Sequence, residues 1–189
     1  GQLWGVTDSS GGDPNSLLAA NIFFDFRPLW GEPGLADALR EEIAVHAAGN
    51  PRFLKQMSDN ALTNRPPINW RGELATAEDT SGVEGVDLKM SGSVPFVDGA
   101  RILALAVGVR ATNTVERLTE AGAKKGIPPE EIRAWCDAFE FVQLLRLREQ
   151  HRRAGRGTMG EGNPNVVPLA ELSAPSPSWT RTRRASSAR

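Results

Sequence analysis

The chain has 189 residues, which suits one domain or one domain with tails. Its 22 Lys+Arg and 23 Asp+Glu nearly cancel, which argues against a dedicated nucleic-acid or membrane-surface binder. One cysteine, Cys136, excludes an intrachain disulfide and a thiolate zinc site, so a reducing, cytoplasmic setting is expected.

Residues 1–15 are rich in Gly, Ser and Asp and read as a linker. They hold no basic stretch followed by an apolar run, so no signal peptide is expected, and the missing initial Met suggests a piece of something longer. No run approaches the roughly 18–20 apolar residues that span a bilayer. Ser16 to Ala20 suits a brief helix, and Asn21 to Arg27, NIFFDFR, has the composition of a short buried strand.

Gly34 to Ala48 predicts a helix whose apolar face carries Leu35, Leu39 and Ile43, with Gly49 as its stop. Asn50-Pro51 opens a second helix reaching about Leu62, with Phe53, Leu54 and Met57 buried. Ile68 to Met90 contains two alternating runs, NWRGELAT and GVDLKM, which predict a β-hairpin with a long loop. Pro95 to Gly108 is the most apolar helix and is expected at the centre. Asn113-Thr-Val-Glu116 is a capping-box pattern opening a short helix to about Gly122. Pro129 opens the longest helix, with Glu130 and Glu131 complementing its dipole and Ile132, Trp135, Cys136, Phe139, Val142 and Leu145 on its apolar face. Arg146, Arg148, Arg152 and Arg153 read as a solvated helix end. Beyond Gly160 the chain reads as loop, then as a disordered tail over 173–189; Thr180 to Arg189 carries four arginines and no acid. The fold class predicted is mainly α: a helical bundle over residues 16–172 with a small β-hairpin and a short N-terminal strand.

A self-contained catalytic site is not expected. Neither His46 nor His151 has a nucleophile near it in sequence, and both read as surface residues. Cys136 reads as a small core residue. No glycine loop of the phosphate-cradling kind lies between strand and helix. No two Asp/Glu residues are separated by a single residue, the spacing that holds Mg²⁺ for nucleotidyl transfer.

Several charges do stand in apolar surroundings: Asp25 and Arg27 in the Phe-rich run, Asp87 and Lys89 between Val86, Leu88 and Met90, and Asp98 and Arg101 at i, i+3 spacing in the most apolar helix. Buried charge is costly unless paired. The favoured reading is that they pair with one another and fix how the elements dock. The functional alternative is a polar cleft for a ligand's phosphates or a partner's acidic loop.

LLAANIFFDFRPLWGEPGLADALR, NPRFLKQM, VDLKMSGSVPFVDGARILALAVGV, NTVERL and AFEFVQLLRLREQ occur in that order. Together they resemble the C-terminal substrate-binding domain of a bacterial nucleotidyltransferase family related to the PII-protein uridylyltransferases and the glutamine-synthetase adenylyltransferases. Cyclic-nucleotide-binding and CBS domains often precede the catalytic core in that family. The resemblance implies a helical accessory domain in signal transduction, packed on a polymerase-β-like core N-terminal to these residues, with a PII-like protein as a candidate partner. It implies no cofactor in this chain; Mg²⁺ and a nucleoside triphosphate belong to a full-length relative. Asp25 is the one local candidate for a third catalytic carboxylate. Arg27, Asp87, Lys89, Asp98, Arg101 and Arg117 are the substrate-binding candidates. The family usually continues into another helix after the segment near Glu171, whereas this chain continues APSPSWTRTRRASSAR. Two alternatives stand beside this reading: a non-catalytic module that binds a protein or nucleotide, and, more weakly, a helical nucleic-acid-binding domain resting on the arginines of the long helix and tail.

Overall fold

The computed structural model describes residues 24–26, 29–64, 67–68, 74, 76–78 and 82–172. Six helices and three short strands occur among them. In chain order they are α1 (Pro33–Ala48), α2 (Pro51–Ala61), β1 (Ala77–Glu78), β2 (Glu84–Asp87), α3 (Val94–Ala106), α4 (Thr114–Lys124), α5 (Pro129–Arg156), β3 (Val166–Pro168) and α6 (Leu169–Leu172). A π-helical turn, Lys89–Ser93, runs directly into α3. The protein is mainly α with a small β-hairpin, as its periodicities predict. No described helix is long and apolar enough to cross a membrane.

The contacts divide the chain into two compact units. The first takes residues 1–66 and 89–143, and so contains α1, α2, α3, α4 and the first half of α5. Its core joins Ile43 and Ala47 of α1, Phe53 and Met57 of α2, and Leu105 of α3. Phe53 is almost wholly buried, which contributes roughly 1.5–3 kcal/mol of transfer free energy. A second cluster joins Ala104 and Val109 to Ala121 of α4. Small residues at these points let α3 and α4 approach closely.

The helix ends follow the local chemistry of the sequence. Asn50 Oδ1 accepts from the Phe53 backbone N–H at 3.0 Å, filling one of the orphan donors at the start of α2. Asn113 Oδ1 accepts from the N–H groups of Val115 and Glu116 at 2.9 and 3.2 Å. Glu116 makes no return bond among the described residues, so the capping box is half formed. Helix α4 runs two residues beyond the expected stop at Gly122. That glycine instead marks close packing: a Cβ there would lie 2.8 Å from the Ile132 side chain of α5.

One face of α1 differs from expectation. Ile43 is buried as expected, but Leu35 is 74% exposed and Leu39 is also exposed. The buried surface of α1 is carried by Ile43, Ala44 and Ala47 near its C-terminal end, where Ile43 and Ala47 join the core with Phe53 and Met57 of α2 and Leu105 of α3.

The second unit takes residues 67–88 and 144–189. β1 and β2 form the expected hairpin, with Ala77 opposite Gly85 and Glu78 opposite Glu84. The first strand is shorter and later than the NWRGELAT run; Ile68 and Leu74 make only an isolated bridge. The third strand is a correction. Residues beyond 160 were expected to be loop, yet Val166–Pro168 pairs antiparallel with β2, with Val167 opposite Val86. Both of these valines are nearly inaccessible. The VVP run is too short for a period to declare itself in sequence.

Candidate functional site

The Phe-rich N-terminal segment departs from expectation. Phe24 to Phe26 form a turn, not a strand, and Ser16 to Phe23, Arg27 and the tail from Ser173 lie outside the described residues. The carbonyls that a strand would use go to arginine side chains. Arg117 NH2 donates to Phe24 O at 2.8 Å, and Arg40 NH2 donates to Phe26 O at 2.9 Å. Arg40 also lies over the Phe26 ring, 5.3 Å from its centroid. Phe24 packs against Phe53, with ring centroids 5.8 Å apart.

Between Phe24 and Phe26 in sequence, Asp25 bridges two helices. Its Oδ2 meets Arg101 of α3 at 2.5 Å, and its Oδ1 meets Arg117 of α4 at 2.7 Å. Arg101 also pairs with Asp98, one helical turn earlier, at 2.6 Å. Arg117 donates from Nε to Ala111 O at 2.7 Å. The two guanidiniums are buried, at 8% and 5% side-chain exposure, whereas Asp25 is 38% exposed. The structure therefore gathers four residues singled out in the sequence: Asp25, Asp98, Arg101 and Arg117.

The electrostatics follow from that geometry. Burial alone raises the Asp25 pKa. Hydrogen bonds and Coulombic attraction from Arg101 and Arg117 outweigh it and hold the carboxyl below its ordinary value. Burial pulls the Arg117 pKa down, and Asp25 partly offsets this. Two donors are left over: Arg40 Nε and Arg101 Nε are buried and have no hydrogen-bond partner among the described residues.

This donor set does not suit a divalent cation. Both Asp25 oxygens already accept from guanidiniums, and a metal there would face two buried positive charges. Among the described residues no group of three or more His, Cys, Asp and Glu is placed to hold a metal ion.

The remaining candidates lie elsewhere. Lys89 is exposed in the π-helical turn. Asp87 belongs to the second unit, where its Oδ2 accepts from Asn163 Nδ2 at 2.8 Å. His46 and His151 are exposed, and Cys136 is half-buried with its Sγ 3.9 Å from the Thr119 hydroxyl.

The second unit holds a charged network that the sequence did not announce. Glu149 is buried on α5 and accepts from Arg152 at 2.6 and 2.7 Å and from Arg153 at 2.8 Å. Arg153 is buried too, and its NH1 donates to Glu161 O at 2.7 Å. The helix end expected to be solvated is therefore partly buried, at Arg153 above all. The signal that marks this is positional: Glu149 and Arg153 continue the face of buried Leu145 at four-residue steps. A groove of about 340 Å³ is lined by Leu145, Arg148, Glu149, His151, Arg152, Val167 and Glu171.

No curated protein and no solved structure matches the chain. A family model does, over residues 51–176, more than half of the sequence, and its description is "Putative nucleotidyltransferase substrate binding domain". The matched stretch includes Asp98, Arg101, Arg117, Glu149 and Arg153. By that match the chain belongs to the family of nucleotidyltransferase substrate-binding domains.

Proposed function

We propose that this chain is the accessory domain that presents substrate to a nucleotidyltransferase core of the PII-uridylyltransferase kind, within a signal-transduction protein. The family match over residues 51–176 is the observation that carries this reading. The Arg101–Arg117 pair supports it, because two buried guanidiniums behind one partly exposed carboxylate are suited to negatively charged substrate groups. Catalytic carboxylates and Mg²⁺ are assigned to the core. Asp25 is assigned the work of a counter-ion rather than of a metal ligand.

The reading is tested by incubating the chain with labelled UTP or ATP, Mg²⁺ and a PII-like protein, with and without a nucleotidyltransferase core of the family. The chain alone is expected to transfer nothing, and the core is expected to transfer label only when this domain is present. Transfer by the chain alone, or by the core at the same rate without it, would reject the assignment.

The second reading is a binding module without a catalytic partner. It is favoured by Trp30 at 97% exposure, together with exposed Leu29 and the exposed Leu35–Leu39 face of α1. The core-dependence of transfer decides between the two.

A further inference from the structure

Asp25 and its two arginines are arranged unequally. The guanidiniums are buried on two helices, while the carboxylate that joins them is the exposed member and comes from Phe24–Phe26, outside any helix or strand. That short segment packs Phe24 and Phe26 against the core, and its polar groups are held by arginines: Arg40 and Arg117 take its carbonyls, and Arg101 and Arg117 take its carboxylate. A void of about 20 Å³, room for one water, is lined in part by Phe24, Phe26, Arg40 and Arg117, so packing around the segment is incomplete. Among the described residues the buried Arg101 Nε has no hydrogen-bond partner.

Without Asp25 the cluster would hold two guanidiniums against the single carboxylate of Asp98, a net charge of +1. Its preferred neighbour would then be an anion with oxygens able to reach both arginines. The Asp25 carboxylate already places one oxygen on each guanidinium, the pattern in which phosphoryl oxygens are also bound. Burial makes such contacts stronger than they are at a surface, and it makes an unpaired arginine there unfavourable.

We propose that Arg101 and Arg117 form an oxyanion site for a phosphate group, that Asp25 occupies this site as a built-in competitor, and that the phosphate enters by displacing the Asp25 carboxylate. This rests on the substrate-binding reading and gives it a ligand chemistry. Displacement breaks the two ion pairs from Asp25 to α3 and α4 and leaves the bonds from Arg117 and Arg40 to the Phe24 and Phe26 carbonyls, so binding loosens the hold on that segment. The phosphate is either the tail of a nucleoside triphosphate or free pyrophosphate.

The test compares the whole chain with its Asp25→Asn variant, which keeps the side-chain shape and removes the charge. Binding of ATP, UTP and pyrophosphate is read by calorimetry, and the melting temperature is read with and without each. Removing a competitor that holds the site most of the time raises apparent affinity by the inverse of the open fraction, so a gain of about tenfold or more is expected. The same ligands should raise the melting temperature of Asp25→Asn more than that of the unaltered chain. Adding Arg117→Gln to Asp25→Asn should abolish the gain. Tighter binding of ATP or UTP than of pyrophosphate assigns the site to a nucleotide tail, and equal binding assigns it to free pyrophosphate.

The proposal is overturned if folded Asp25→Asn binds no more tightly than the unaltered chain. It is equally overturned if the gain survives Arg117→Gln, or if an unfolded Asp25→Asn is not rescued by millimolar pyrophosphate. Failure here leaves the core-dependence of nucleotide transfer untouched. Conversely, a phosphate response without such dependence keeps this site and rejects the accessory role.

Discussion

The Glu149 carboxylate meets the Arg153 guanidinium at 2.8 Å, one turn apart on α5, with both side chains shut away from water. Arg152 adds two further hydrogen bonds to the acid, and Arg153 also donates to the backbone carbonyls of Glu161 and Val166. The pair thus links the helix to the segment that carries β3. Breaking such a pair from one side leaves a buried charge unpaired. Glu149→Ala is expected to destabilise the protein by about 3–5 kcal/mol, read as a lower urea midpoint. A loss under about 1 kcal/mol, the value of an exposed pair, would show that water reaches Arg153 freely.

The same carboxyl makes stability depend on pH. Burial raises the Glu149 pKa, but the bonds from Arg152 and Arg153 prevail and leave it below the ordinary value of 4.5. A group with a depressed folded pKa stabilises above its unfolded pKa and loses that contribution as pH falls toward the folded value. Asp25 acts in the same direction, from its ordinary value of 3.8. The urea midpoint should therefore be flat with respect to these two groups at neutral pH and should fall below about pH 4.5. Glu149→Gln should show a shallower fall on acidification. An unchanged acid slope would mean that Glu149 titrates alike in the folded and unfolded chains.

Arg117 and Asp25 should respond unequally to truncation. Arg117 is buried and serves Asp25, Phe24 O and Ala111 O at once. Arg117→Ala removes all three contacts and is expected to cost about 3–5 kcal/mol. Asp25→Ala is expected to cost less, because Arg101 keeps Asp98, Arg117 keeps the Ala111 and Phe24 carbonyls, and water can enter the place of the partly exposed carboxylate. Thermal unfolding of the two variants gives the order directly. A larger loss for Asp25→Ala would place the anchoring role in the acid.

Two glycines offer a test of close approach. At Gly85 a Cβ would strike the backbone of Val167 and lie 2.9 Å from Val166 Cγ1, and a backbone atom in a paired strand cannot step aside. At Gly122 the obstacle is the Ile132 side chain, which can turn. Gly85→Ala should therefore destabilise more than Gly122→Ala, with overpacking at Gly122 in the range of about 1–3 kcal/mol less any relief from the better helix propensity of Ala. Equal losses by chemical denaturation would reject the distinction.

Much of the helical frame was legible in sequence because its determinants are local. Asn50 and Asn113 cap the helices they precede, prolines begin α1, α2 and α5, and Ile43, Phe53, Met57 and Leu105 are buried as their spacing predicts. The pairing of odd charges in an apolar context was legible as a rule but not in its membership. Asp25 lies 76 residues from Arg101, and no local pattern chooses between Arg101, Arg27 and Lys89 as its partner. Only the packing of α3 on α4 sets Arg101 and Arg117 on either side of one carboxylate. Burial of Glu149 and Arg153 was likewise undecidable from a charged helix end, since a solvated face and a buried network share the same residues until β3 and the loop after α5 cover them. The sequence by itself therefore determined the helices, their caps and the family. Tertiary structure decided which charges meet, because that choice depends on desolvation and on contacts between residues far apart in the chain.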